Sequence, residues 1–180
     1  MPERPPEKFS TKRLFLRKPV IEDAVPIFEN YAQDPEVTRF LTWKSHKSIN
    51  ETKFFIQRCE KVWEEGSAFP WSIVRKYDNQ LLGMIEIVMI DHAGVNLGYV
   101  LARPFWGEGY MVEALRIITK WAINQNDIFR VWAFCDVENT TSARVLEKSG
   151  MDKEGILRRW IRLPQFGEIP RDCFCYSIVK

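Results

Sequence analysis

Histidine is nearly absent, with two residues in a chain of 180. A His-based metal centre or catalytic triad has almost nothing to be built from, and no metal is expected. The four cysteines, Cys59, Cys135, Cys173 and Cys175, show no CxxC spacing and are too sparse for a disulfide framework. Cys173 and Cys175 lie two apart in a strand-like run and share a face; the cysteines read as packing residues, with a reactive thiol or a metal ligand as the lesser alternative. A surplus of positive charge is also lacking: 26 Lys and Arg stand against 24 Asp and Glu, a net of +2. That argues against an electrostatically driven nucleic-acid binder. No uncharged run approaches the roughly 18 residues of a membrane span. Met1 to Lys8, rich in proline and charge, has no apolar stretch and is no signal peptide. The expectation is a soluble, cytoplasmic protein with no membrane and no nucleic-acid partner.

What is present is apolar and aromatic. Hydrophobic residues make up 46% of the chain and aromatics 13%, with seven Trp and twelve Phe, which excludes disorder. A chain of this length buries about 70% of its unfolded surface and needs no staple. There is no internal repeat and no linker, so residues 11–180 read as one domain behind a short N-terminal extension, 1–10.

Thr11 to Lys18 alternates Leu14 and Leu16 against Arg13 and Arg17, a strand pattern. Ile21 to Ala32 places Ala24, Ile27, Phe28 and Tyr31 at helical spacing. Gln33 to Lys47 reads as an irregular loop carrying Phe40, Leu41 and Trp43. Ser48 and Glu51 form the pattern of a capping box. The helix it opens runs to Glu65, with Phe55, Ile56, Cys59 and Val62 on one face, and Gly66 closes it. Phe69–Lys76, Leu81–Asp91 and Val95–Ala102 read as an antiparallel meander, turned at Tyr77–Gln80 and His92–Gly94. A helix over Tyr110–Asn124, a buried strand at Arg130–Cys135, a helix over Asn139–Ser149 and strands at Asp152–Leu163 and Cys173–Val179 complete the chain. The order is β-α-α-β-β-β-α-β-α-β-β, an α/β single domain with four helices.

Trp106-Gly107-Glu108-Gly109-Tyr110 joins a strand to an amphipathic helix. Glycines let the chain turn tightly there, and the first helical amides lack intrahelical partners, which makes an anion site suited to a pyrophosphate. A tight turn alone would leave the same signature. The loop has neither the Gly-Lys-Ser/Thr of a P-loop nor the third glycine of a dinucleotide fingerprint.

A second segment, Asn139-Thr140-Thr141-Ser142-Ala143-Arg144-Val145-Leu146-Glu147-Lys148-Ser149-Gly150, follows in the right order. With the glycine loop and the strand Leu97-Gly98-Tyr99-Val100-Leu101, it resembles the GNAT superfamily of acetyl-CoA-dependent N-acetyltransferases. Thr11 to Arg17 and Asp34-Pro35-Glu36-Val37 look like the branch containing the ribosomal-protein N-terminal acetyltransferases. The likeness runs from about Thr11 to Val179. It implies a mixed, mostly antiparallel sheet and acetyl-CoA as cosubstrate. Backbone groups of Val100 and Leu101 would meet the pantetheine. Amides of Gly107, Gly109, Tyr110, Met111 and Val112 would bind the pyrophosphate. Asn139 and Ser142 would contact the cofactor arm. Asn139 also suits an N-cap, and both roles can hold at once.

The departures from the family pattern carry information. Met111 stands at the last place of the loop motif, where a smaller Gly or Ala is usual, and is expected to crowd the cofactor. Leu146 stands where many relatives carry the tyrosine that protonates the leaving thiolate, which leaves Ser142 as the nearest donor. Asn96 stands where many carry a glutamate base. An α-amine, with a pKa near 8, suffers about 1.4 kcal/mol to be neutral at pH 7, whereas a lysine-like amine suffers about 4.6 kcal/mol. The absent base therefore tilts the acceptor toward an α-amine. Glu86, set in the apolar run Gly83–Ile90, is the alternative base; a solvated or ion-paired role is equally open. A strand amide near Leu101 can stabilise the oxyanion. Glu113 reads as structural.

Phe40, Trp43, Trp71 and Phe166, with Trp160, can wall an acceptor pocket, although any one of them can equally be core. The leading reading is acetylation of a protein or peptide N-terminus. A small-molecule amine (antibiotic, polyamine or amino acid) and a non-catalytic CoA sensor remain beside it. The state is monomer or homodimer.

Overall fold

Among the described residues eight strands form one sheet in the order β1-β2-β3-β4-β5-β6-β8-β7. They are β1 (Lys8–Ser10), β2 (Leu14–Arg17), β3 (Ala68–Arg75), β4 (Leu81–Met89), β5 (Gly94–Leu101), β6 (Arg130–Asp136), β7 (Asp152–Ile161) and β8 (Arg171–Val179). The computed structural model describes residues 4–90 and 94–180. Of the expected turn at His92–Gly94, His92 and Ala93 lie outside the described residues. Every described strand pair is antiparallel except β5–β6. β1 continues the sheet beyond the strand expected from the alternation of Leu14 and Leu16.

Among the described residues five α-helices accompany the sheet, against the four expected: α1 (Ala24–Ile27), α2 (Pro35–Thr38), α3 (Ile49–Glu65), α4 (Tyr110–Ile123) and α5 (Thr140–Ser149). α1 lies between a 3-10 turn, Ile21–Asp23, and a π turn, Phe28–Ala32. The additional helix, α2, sits in the stretch expected to be irregular. Asp34 caps it by accepting from the Glu36 amide at 2.9 Å, and Pro35 fills its first position.

The capping box at α3 does not form. Ser48 makes no side-chain cap, and Glu51 reaches past it to accept from the Lys47 amide at 3.1 Å. The face of α3 is rotated from the expected one, burying Thr52, Ile56, Cys59 and Trp63. Gly66 ends the helix at φ 72°, as its left-handed position requires.

Side chains alternate across each strand, so register separates the two faces of the sheet. Ser72 donates to Asp23 at 2.8 Å, and Asp23 also receives both terminal nitrogens of Arg17. This face is covered by the N-terminal helices. On the other face Phe9 packs edge-on against both Trp71 and Trp121 of α4. Trp71 is 0% exposed there and also lies edge-on to Trp63. It is a core residue, which removes it from the acceptor wall.

Candidate active site

Among the described residues the strands β5 and β6 pair at three positions, Gly94 to Arg130, Val95 to Val131 and Asn96 to Trp132. Beyond Asn96 they diverge, and a wedge opens between Leu97–Leu101 and residues 133–136. Asn96 sits at its apex, its amide donating to the Trp132 carbonyl at 3.3 Å.

Backbone parity decides which groups face the wedge. The Val100 carbonyl lies so close to Gly83 that a Cβ on that glycine would meet it at 2.1 Å. Val100 thus turns its backbone toward β4, and Tyr99 and Leu101 turn theirs toward the wedge. This corrects the expectation for Val100. The Leu101 carbonyl is already taken by the Trp106 indole at 2.7 Å, which leaves its amide on the open edge.

The wedge runs out into the glycine loop. Gly107 and Gly109 take φ of 82° and 76°, conformations that side chains other than glycine's rarely adopt. Gly109 is the N-cap of α4, so the amides after it point outward without intrahelical partners. Met111 is 3% exposed and packs inward, so its side chain does not crowd this cradle.

A latch holds the start of α4 in place. Glu113 accepts from Thr11 Oγ1 at 2.5 Å, the Arg13 amide at 2.8 Å and Arg13 Nε at 2.6 Å. Burial alone would raise the Glu113 pKa, but these donors bring it below the ordinary carboxylate value. A cleft of about 430 Å³ beside the loop is lined by Arg13, Gly109, Glu113, Arg116 and Lys120.

On the far side of the wedge, Asn139 caps α5 by accepting from the Ser142 amide at 3.1 Å. Ser142 Oγ lies 2.6 Å from the Tyr99 hydroxyl. Burial raises the Tyr99 phenol well above its ordinary value, with the Ser142 hydrogen bond opposing. Leu146 is fully buried.

Glu86, Gly98 and Asn96 occupy the opposite face of the sheet from Tyr99. Glu86 pairs with Gly98, and its Oε1 would lie 3.1 Å from a Cβ placed there. Burial raises the Glu86 pKa, and Arg58 of α3 pulls the other way. The same face carries Trp132 and Phe134, which Trp160 joins at 6.2 Å from each. A bulge in β7 between Leu157 and Ile161, with Arg159 at φ 52°, accompanies the placing of Trp160 over them.

Phe40 and Phe166 stack at 5.6 Å, with Arg39 and Arg171 over the rings. Gln165 ties their two loops together by donating to the carbonyls of Thr38 at 2.5 Å and Trp43 at 2.7 Å. Trp43 packs against His46. Of the expected acceptor residues, Phe40, Trp43 and Phe166 gather in this corner, and Trp71 does not. Tyr99, Trp132 and Phe134 carried no role from spacing alone.

An open strand edge leading to an anion cradle, with a half-buried carboxyl on one face and a hydroxyl pair on the other, is an arrangement that suits group transfer from an extended anionic donor. Residues 13–152 match the acetyltransferase (GNAT) domain family. The chain is 32% identical to the uncharacterized N-acetyltransferase p20 of Bacillus licheniformis over 97% of each chain. Its fold is similar to that of the microcin C7 self-immunity acetyltransferase MccE, solved in complex with acetyl-CoA and AMP, at a TM-score of 0.87, 21% identity and 98% of each chain. It is also similar to RimL, a ribosomal L7/L12 α-N-protein acetyltransferase solved with coenzyme A, at 0.82, 22% identity, 96% of this chain and 98% of that one. The chain belongs to the GNAT acetyltransferase family. Among the described residues no helix is long and apolar enough to cross a membrane.

Proposed function

We propose that this protein transfers the acetyl group of acetyl-CoA to the α-amine of a protein or peptide N-terminus. The observation that carries the reading is the open edge of β5, continuous with the glycine cradle at the start of α4. Tyr99 and Leu101 offer backbone groups there to an amide-bearing arm, and the amides after Gly109 offer donors to a pyrophosphate. Acetyl-CoA supplies the thioester. Proteins of similar fold solved in complex with acetyl-CoA or coenzyme A support acetyl-CoA as the donor.

The residues of this chain divide the work by face. Glu86, with its raised pKa, takes the proton of the attacking amine on the side of Trp132, Phe134 and Trp160. A wedge-facing amide of β5 holds the developing oxyanion. Ser142, on the opposite face, donates to the sulfur as it leaves. Holding both reactants across the wedge replaces an encounter by a reaction between neighbours. The acceptor enters over the rings of Trp132, Phe134 and Trp160, toward the corner of Phe40, Trp43 and Phe166.

Release of the CoA thiol, followed with acetyl-CoA against peptides with free N-termini, polyamines and amino acids, tests the reading. Turnover is expected with peptides above small amines. A preference for small amines would overturn the acceptor assignment. Tight CoA binding without thiol release on any amine would make the protein a sensor.

A further inference from the structure

The hydrogen bond between Tyr99 and Ser142 links the two sides of the wedge. Tyr99 lies three residues past Asn96, where β5 has already left β6, and Ser142 lies in the first turn of α5. Their oxygens are 2.6 Å apart, and the Ser142 carbonyl is 3.4 Å from the same phenol. Ser142 also meets the thiol of Cys135, which burial pushes up to about 11. The next turn of α5 presents Leu146, which has no proton to give.

We propose that Tyr99 is a positioning residue for the departure of the thiolate: by donating to Ser142 Oγ it aims the serine hydrogen at the sulfur. The proposal rests on the acetyl transfer inferred above.

A hydroxyl has one hydrogen and two lone pairs, so Ser142 can give that hydrogen to only one acceptor. If Ser142 donated to Tyr99, nothing would be left for the sulfur. With Tyr99 as donor, the serine oxygen is satisfied and its own hydrogen stays available. A phenol kept protonated by burial suits that direction, because it stays a donor throughout the working pH range.

The balance of the step fixes what the pair does. The N–C bond forms, the C–S bond breaks, and sulfur takes the bonding pair as a thiolate. The amine proton goes to Glu86 and from there to solvent. A thiol with a pKa near 8.5 leaves readily as its anion. A serine hydroxyl is a far weaker acid than such a thiol, so proton transfer from Ser142 to sulfur would run uphill. Ser142 therefore stabilises the thiolate by a hydrogen bond, and no proton crosses from Tyr99. Charge develops on sulfur only as the bond breaks, so the interaction strengthens in the transition state and acts on kcat. A chain of two donors also polarises along its length, which makes the serine a better donor than it would be alone.

The experiment is a double-mutant cycle on Tyr99→Phe and Ser142→Ala, with steady-state kinetics and Tm for each protein. Ser142→Ala is expected to lower kcat about 10²-fold, by analogy with removal of one preorganised donor. Tyr99→Phe is expected to lower it about tenfold, with KM for acetyl-CoA within about twofold of wild type. The double variant should be about as slow as Ser142→Ala alone, because the phenol has nothing left to orient.

A binding measurement separates positioning from simple support of the fold. Above pH 9, where the CoA thiol is ionised, Tyr99→Phe should weaken CoA and leave an analogue with hydrogen in place of the thiol unaffected. Equal weakening of both ligands, a wild-type kcat in Tyr99→Phe, or multiplicative losses in the double variant would each overturn the positioning role while leaving acetyl transfer intact. A wild-type protein that releases no CoA with any amine would instead defeat the proposed function.

Discussion

Glu86→Gln is nearly isosteric and removes one ionisable group from the acceptor face. Glu86 lies against Gly98, is desolvated, and has the exposed Arg58 as the charge opposing its raised pKa. A general base of this kind is worth about 10²–10⁴ in rate, or about 2.7–5.4 kcal/mol at 1.36 kcal/mol per decade. The assay is kcat/KM for a peptide acceptor at fixed acetyl-CoA, followed across pH. In the wild type two deprotonations are needed, at Glu86 and at the amine. The logarithmic profile should rise with a slope of about two below the raised Glu86 pKa and about one from there to the amine pKa near 8, then flatten. In Glu86→Gln a single slope of about one should remain over the whole rise, with KM for acetyl-CoA unchanged. The substitution also has a signed effect on stability. A carboxyl whose folded pKa is raised holds its proton more tightly in the native state. Its contribution is therefore complete below the unfolded pKa and is lost as pH rises through the folded one. Glu86→Gln should gain stability relative to wild type across that window. Identical pH–rate profiles in the two proteins would refute the base assignment, whatever the change in absolute rate.

Other substitutions probe the same geometry. Gly98→Ala puts a methyl 3.1 Å from Glu86 Oε1, so the carboxyl must shift by a few tenths of an ångström; kcat should fall several-fold with Tm nearly unchanged. Gly109→Ala forces a side chain into φ 76°, at about 1–2 kcal/mol, which calorimetry should register as a Tm lower by a few degrees, together with weaker CoA binding. Trp160→Ala removes an exposed ring that packs on Trp132 and Phe134, and should raise KM for peptide acceptors about three- to tenfold with little loss of kcat. Glu113→Gln loosens the latch on Arg13 and Thr11. Because its native pKa is depressed, the wild-type advantage in Tm should be present above the unfolded carboxylate pKa and vanish as pH falls through the native one.

Most of the architecture was legible in the chain itself, because long periodic segments and their glycine stops are local signals. α3 and α5 end where Gly66 and Gly150 stop them, α4 ends one residue short of the expected Asn124, and β3, β4 and β5 form the expected antiparallel meander. Short elements were harder to read. β1 is three residues, too brief to show a period, and α2 is one turn whose signal is only Asp34-Pro35. The glycine cradle announced itself through sequence spacing. The contact between Tyr99 and Ser142 did not, because a contact across 43 positions is created by the divergence of two strands and leaves no local trace. The choice between Val100 and Leu101 likewise needed backbone parity, which the residue types do not encode. Trp71 and Trp160 look alike as letters; only the sheet register shows that one is sealed in the core and the other lies open.

The unpaired edge of β5 also limits where rate enhancement can originate. Apart from the one amide that meets the oxyanion, its amides and carbonyls would grip the arm of the spent carrier as firmly as that of the loaded one, because the two differ only beyond the sulfur. Such contacts bind ground state and transition state alike and raise occupancy without lowering the barrier between them. Free coenzyme A should accordingly compete with acetyl-CoA at similar affinity, so the turnover of this protein would follow the ratio of the two forms in its surroundings. Discrimination between them then falls to the few groups that sense the thioester itself.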